Sequence, residues 1–166
     1  SNYGNISGLK SAGGILGYSK GHANIDSCNN YAALISTTNQ DAGGILGNLQ
    51  DDDCSFTNCV NTGAVTSARI AGGIVGYCGD GDSSNFSKCF NYGNITGKSL
   101  FAGGIMGSCD WRSGGYGTLS ECANFGTVQG ARDSGGIIGT GNWTKIVRCF
   151  NNGNVKRTSA STGSAY

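Results

Sequence analysis

The chain has 166 residues, 11 basic against 10 acidic, and a net charge of +1, a balance that exerts no strong pull toward nucleic acid or an anionic membrane surface. Only 13% of residues are charged, glycine numbers 31 and proline is absent. That composition excludes collagen and a proline-rich linker, and it suits a fold with tight turns in which nearly every backbone N–H serves a ladder. No apolar run approaches the ~20 residues that span a bilayer, and nothing at the N-terminus resembles a signal peptide.

Two signatures recur along the chain. It opens on Asn2-Tyr3-Gly4-Asn5-Ile6, a copy of a Cys-x-Asn-x-Gly-x-apolar signature that has lost its front end. A Gly-Gly-apolar-apolar-Gly block follows at 13–17 and returns at 43–47, 72–76, 103–107 and 135–139, in steps of 30, 29, 31 and 32 residues. Between blocks the first signature returns from Cys28, where Ala32 holds the glycine position, and then from Cys59, Cys89, Cys122 and Cys149. The apolar runs are short, lack a 3.6-residue period and are interrupted by glycine, so short strands joined by turns are expected rather than helices.

A unit of about 30 residues holding about three short strands is one coil of a parallel β-solenoid, each strand pairing with its counterpart ~4.8 Å along the axis. The predicted fold is therefore all-β: about five coils over residues 1–155, with 156–166 as a polar tail or the start of a further coil. The incomplete first signature and the polar end suggest a fragment of a longer array, since natural solenoids end in distinct caps.

Stacking gives each recurring residue a column. Asn30, Asn61, Asn91, Asn124 and Asn151 should lie above one another, with side-chain amides bonding along the axis at a turn. Gly63, Gly93, Gly126 and Gly153 relieve the same corner of a Cβ, with positive φ expected there. Val65, Ile95, Val128 and Val155 then point inward. Cys28, Cys59, Cys89, Cys122 and Cys149 form a further column, expected as inward-facing thiols because five stacked residues cannot all pair. Cys78 and Cys109 each stand two residues past a Gly-Gly block, where the other coils have Ser19, Leu49 and Gly141. Cysteine in adjacent coils only is the pattern of a cross-link, and a Cys78–Cys109 disulfide is expected. Cys54 is left over.

The Ala-Gly-Gly-Ile blocks at 12–17, 42–47, 71–76 and 102–107, each followed by Cys-x-Asn-x-Gly-x-apolar, resemble the GLUG-type repeats of bacterial surface proteins, found in filamentous adhesins and in non-catalytic regions of IgA-cleaving metallopeptidases. The resemblance covers nearly the whole chain. It implies an extracellular or cell-surface stalk or attachment region and carries no catalytic residues over.

The segment from each Gly-Gly block to the next cysteine varies from 9 to 14 residues, against 12 to 14 for the other segment, so irregular loops gather on one edge of the rod. Asp110, Trp111, Arg112, Tyr116 and Trp143 lie there. Exposed rings beside carboxylates fit a host glycan or a surface protein, and the same composition also fits solvated turns. Asp80 and Asp82 open a calcium-like Asp-x-Asp stretch, but Asn85 and Asn91 replace its required glycine and acid; no other metal or cofactor is expected. The chain has one histidine, His22, one glutamate, Glu121, and none of the common hydrolase motifs, so no enzyme is predicted. Open strand edges at the ends of a rod would permit head-to-tail self-association into filaments.

If the strand phase is right, Ile74→Asp places an unpaired charge in the core and costs several kcal/mol, while Lys98→Ala stays within about 0.5 kcal/mol. Equal melting temperatures for the two variants would show the phase to be wrong.

Overall fold

A computed structural model describes residues 1–38, 40–50, 53–79, 83–110 and 116–159. These residues form a parallel β-solenoid of five coils, with 26 short strands and no helix. The strands stack into five sheets, one of six strands and four of five, every pair parallel and every neighbour one coil away. Taking the third coil as reference, we name them sheet A (Val60–Asn61), sheet B (Val65–Ser67), sheet C (Ala71–Gly72), sheet D (Val75–Gly79) and sheet E (Asn85–Ser87). Each coil thus holds about five strands rather than the expected three. Sheets A and C are two-residue segments, too short and too close to glycine corners to stand out from the sequence as strands.

The registers equate like with like. Leu34, Val65, Ile95, Val128 and Val155 pair in sequence along sheet B, and Leu46, Val75, Met106 and Ile138 along sheet D. Leu34, Val65, Ile95 and Val128 are fully buried, as are Ile45, Ile74 and Ile105, whereas Val155 in the last coil is 43% exposed. Phe56 and Phe86, on sheet E, stack at 4.7 Å with planes 3° apart, the interior counterpart of the backbone ladder.

The asparagine column forms a continuous hydrogen-bonded ladder. The Nδ2 of Asn2, Asn30, Asn61, Asn91 and Asn124 each donates to Oδ1 of the next asparagine at 2.7 Å. The same Nδ2 donates to the carbonyl two residues on, at 2.8 Å for Asn30, Asn61 and Asn91. Asn30, Asn61, Asn91 and Asn124 are fully buried, and a buried amide is tolerable only when so satisfied.

The ladder also explains the second glycine of each Gly-Gly pair. A Cβ on Gly44, Gly73 or Gly104 would fall 2.4 to 2.5 Å from Cγ of Asn61, Asn91 or Asn124 and 2.0 to 2.1 Å from a carbonyl oxygen of the next coil. The corner between sheets C and D therefore presses on sheet A across the interior and pinches the coil at a waist. Two apolar cores result: a larger one along sheets D and E with the cysteine column, and a smaller one along sheets B and C.

The glycines after the asparagines do not have the expected positive φ; among glycines of the described residues only Gly21 does, at 120°. They are required by close stacking instead. A Cβ on Gly63, Gly93, Gly126 or Gly153 would sit 1.9 Å from the carbonyl oxygen of its counterpart one coil earlier. Five of the six left-handed non-glycine residues among those described, Ser27, Asn58, Lys88, Glu121 and Arg148, stand immediately before a repeat cysteine, with φ between 50° and 55°. Here the backbone reverses from sheet E into sheet A with a side chain that glycine would have spared.

Gly73→Ala should cost several kcal/mol, because the methyl meets backbone on one side and the Asn91 amide on the other. Gly4→Ala, whose Cβ would have no neighbour nearer than 4.0 Å, should change stability little. Denaturant midpoints for the pair measure the difference, and comparable midpoints would remove the waist as a constraint.

Candidate functional site

The variable edge lies between sheets D and E, as the segment lengths predict. Tyr116 and Trp143 are 57% and 52% exposed and meet edge to face, ring centroids 6.2 Å apart at 82°. Trp143 holds a left-handed backbone, φ 50°. Asp110 is exposed and accepts a hydrogen bond of 2.9 Å from Asn142 Nδ2, the residue before Trp143 in the next coil. Three of the five candidate residues thus gather on one edge; Trp111 and Arg112 lie outside the described residues, as do Asp80 and Asp82 of the calcium-like stretch. Among the described residues no group of three or more His, Cys, Asp or Glu is arranged to hold a metal ion.

Farther back on the same edge, His22 and Cys54 line one hollow of ≈ 300 Å³ with Asp53, Ser83 and Asn85. Their chemistry is spent locally. The imidazole Nδ1 bonds the Asp53 carbonyl at 3.2 Å, and the Cys54 thiol is 4% exposed and accepts the Ala23 backbone N–H at 3.2 Å.

The cysteines follow the registers predicted for them. None of the eight is in a disulfide. In the repeat column, Sγ of Cys59, Cys89, Cys122 and Cys149 donates to the carbonyl two residues back at 3.3 to 3.5 Å. Hydrogen bonds to the flanking Cys122 and Cys59 sulfurs, together with burial, push the Cys89 thiol well above its ordinary range. Cys78 and Cys109 are direct partners in sheet D, yet they are not joined by the expected disulfide. Cys109 Sγ leans toward the following coil, 3.2 Å from Thr144 Oγ1, into space left by Gly141, whose Cβ would sit 2.3 Å from that sulfur. Cys78 turns to Ser84 Oγ at 3.8 Å. Burial pushes the Cys109 thiol up to about 11, which keeps it protonated.

A second surface has no warning in the sequence. The turns from sheet B to sheet C stand over the outer face of sheet D and leave a trough along the rod. One part, ≈ 360 Å³, crosses three coils and is lined by Arg69, Phe101, Tyr77, Ser108, Asp110 and Asn142 among others. Another, ≈ 480 Å³, lies against Lys10, Ser11, Tyr18 and Gln40 at the first two coils. Between them a polar bar crosses the trough. Asp41, fully buried, accepts Arg69 Nε at 2.9 Å and a second guanidinium nitrogen at 3.0 Å, and Asn48 Nδ2 at 2.8 Å. Asn48 Oδ1 is buried without a donor among the described residues. The fork geometry and the Asp41 carboxylate hold the Arg69 guanidinium above its ordinary pKa.

No protein family, no curated protein and no solved structure matches the chain.

Because Asp41 is wholly buried and Arg69 is its cationic partner, Arg69→Ala should destabilise by about 3–5 kcal/mol, and Arg69→Ala with Asp41→Ala by clearly less. A denaturation cycle over the two singles and the double checks this; a double variant as unstable as Arg69→Ala alone would refute the buried-charge account.

Proposed function

We propose that this chain is a non-enzymatic rod module of a secreted or cell-surface protein, serving as a stalk or attachment region. The observation that carries the reading is continuity. All five sheets and the asparagine ladder run from the first coil to the last without a change of partner, so tension along the axis is shared by parallel hydrogen bonds throughout. The likeness of its blocks to GLUG-type repeats supports the same role and the same location.

The polar groups that would do chemistry are engaged in holding coils together. Arg148 bonds the single glutamate, Glu121, at 2.6 Å and holds its carboxyl below the usual range by that hydrogen bond and by charge. Asp41 is held beneath Arg69, and Asp110 by Asn142. The Tyr116–Trp143 pair favours a second reading, in which the loop edge of the same rod binds a host glycan or surface protein.

Pulling a polyprotein of this chain between well-characterised marker domains tests the stalk. The expected trace shows one cooperative event per array that releases the length of all five coils. Stepwise release of single coils at low force would sink the reading, since a rod that frays coil by coil transmits no load.

A further inference from the structure

The geometry points to the trough between the B–C turns and the outer face of sheet D as a binding site for an extended, uncharged, β-linked oligosaccharide lying parallel to the rod axis. This goes beyond the stalk reading and does not depend on it.

Shape comes first. The stretch beyond the Asp41–Arg69 bar, ≈ 360 Å³, takes its walls from three successive coils: Arg69 and Tyr77, then Phe101, Ser108 and Asp110, then Thr140 and Asn142. An occupant that touches all three must be long and straight along the axis. Coils advance by ~4.8 Å, a step close to that of one pyranose in an extended β-1,4-linked chain, so each sugar would lie beside one coil, with alternate sugars presenting the same face. A curled α-1,4-linked chain has no such match.

Chemistry narrows the class further. Tyr77 and Phe101 supply ring surface, while Ser108, Thr140, Asn142 and Asp110 supply hydroxyl, amide and carboxylate groups for sugar hydroxyls. The charges on this stretch balance in sign. Arg69 is paired with Asp41, and the Asp110 carboxylate, which accepts Asn142 and keeps its charge, is matched in number by Arg132, which lies 5.7 Å over the Phe101 ring. Little net charge remains to select an acidic or basic polymer. An extended peptide is disfavoured for a different reason. Peptides join sheets at open edges, and the sheet D strand of the third coil, which lies at this trough, is already paired on both sides.

The trough also differs from the loop edge in a way that experiment can use. Tyr77, Ser108 and Thr140 lie in register on the outer face of sheet D, whereas Tyr116 and Trp143 lie on the far side of the D–E turn. Calorimetric titration of the intact chain with cellohexaose and chitohexaose should give saturable binding, and maltohexaose should give none. Tyr77→Ala should weaken binding roughly tenfold, the scale of one lost ring contact. Trp143→Asn, chosen because asparagine accepts the left-handed backbone, should leave it unchanged. Amide chemical shifts followed with the unmodified chain give a readout that needs no variant: binding should move Tyr77, Ser108 and Thr140. The proposal is overturned by no saturable binding of either β-linked hexamer, by equal binding of maltohexaose, or by shifts confined to Tyr116 and Trp143. None of these results bears on the force measurement, so the two readings fail separately.

Discussion

The cross-section of every coil is set where the asparagine ladder meets the second glycine of the Gly-Gly pair. Each asparagine amide is fixed by the asparagine in the coils above and below it and by a carbonyl of its own turn, so it cannot withdraw from the interior. The opposing corner can approach it only as glycine. Once that waist is fixed, the two lobes on either side have defined widths, and the residues that fill them follow. Large side chains such as Phe56, Phe86 and Leu119 occupy the wide lobe, whereas alanine and medium aliphatics occupy the narrow one. The repeat therefore encodes a distance, and the two sequence signatures are the two sides of one contact.

Stacking at a constant rise makes this constraint propagate. A change in one coil is felt by both neighbours, since the carbonyl of each corner glycine sits where the next coil's Cβ would be. The glycines at 63, 93, 126 and 153 illustrate the logic. Their need for a missing Cβ comes from the neighbouring coil and not from their own φ, which is why reasoning from turn conformation alone predicts the right residue for the wrong reason. The left-handed positions before the cysteines show the converse. Ser27, Asn58, Lys88, Glu121 and Arg148 share a backbone state but no residue type, so no pattern in the sequence announces it.

The fold was legible because its columns are built from identical residues at nearly constant spacing: asparagine, cysteine, glycine and aliphatics each mark one place in the coil. The number of strands was less so, because a two-residue strand such as Val60–Asn61 has no period to detect. The loop edge was legible from segment length, and Tyr116 and Trp143 do meet there. The Cys78–Cys109 register was legible from the same spacing, but the direction each thiol takes depends on Ser84, Gly141 and Thr144, which belong to other segments and other coils.

The trough escaped the sequence for a physical reason. Its walls belong to the part of the coil where residue type is free to vary. The position that holds Asn48 holds Tyr18, Tyr77, Ser108 and Thr140 in the other coils, and the facing turn presents Ser11, Asp41, Ile70, Phe101 and Asp133. Repetition exposes what stacking demands and conceals what it leaves open. A surface on which neighbouring coils carry different groups, beside a core in which they carry the same ones, can distinguish one ligand position from the next along an otherwise uniform rod. The Asp41–Arg69 bar is the clearest instance. Among the described residues it occurs at one level of the array, and it divides the trough into two stretches with different linings, so any chain bound along the axis would meet different partners on either side of it.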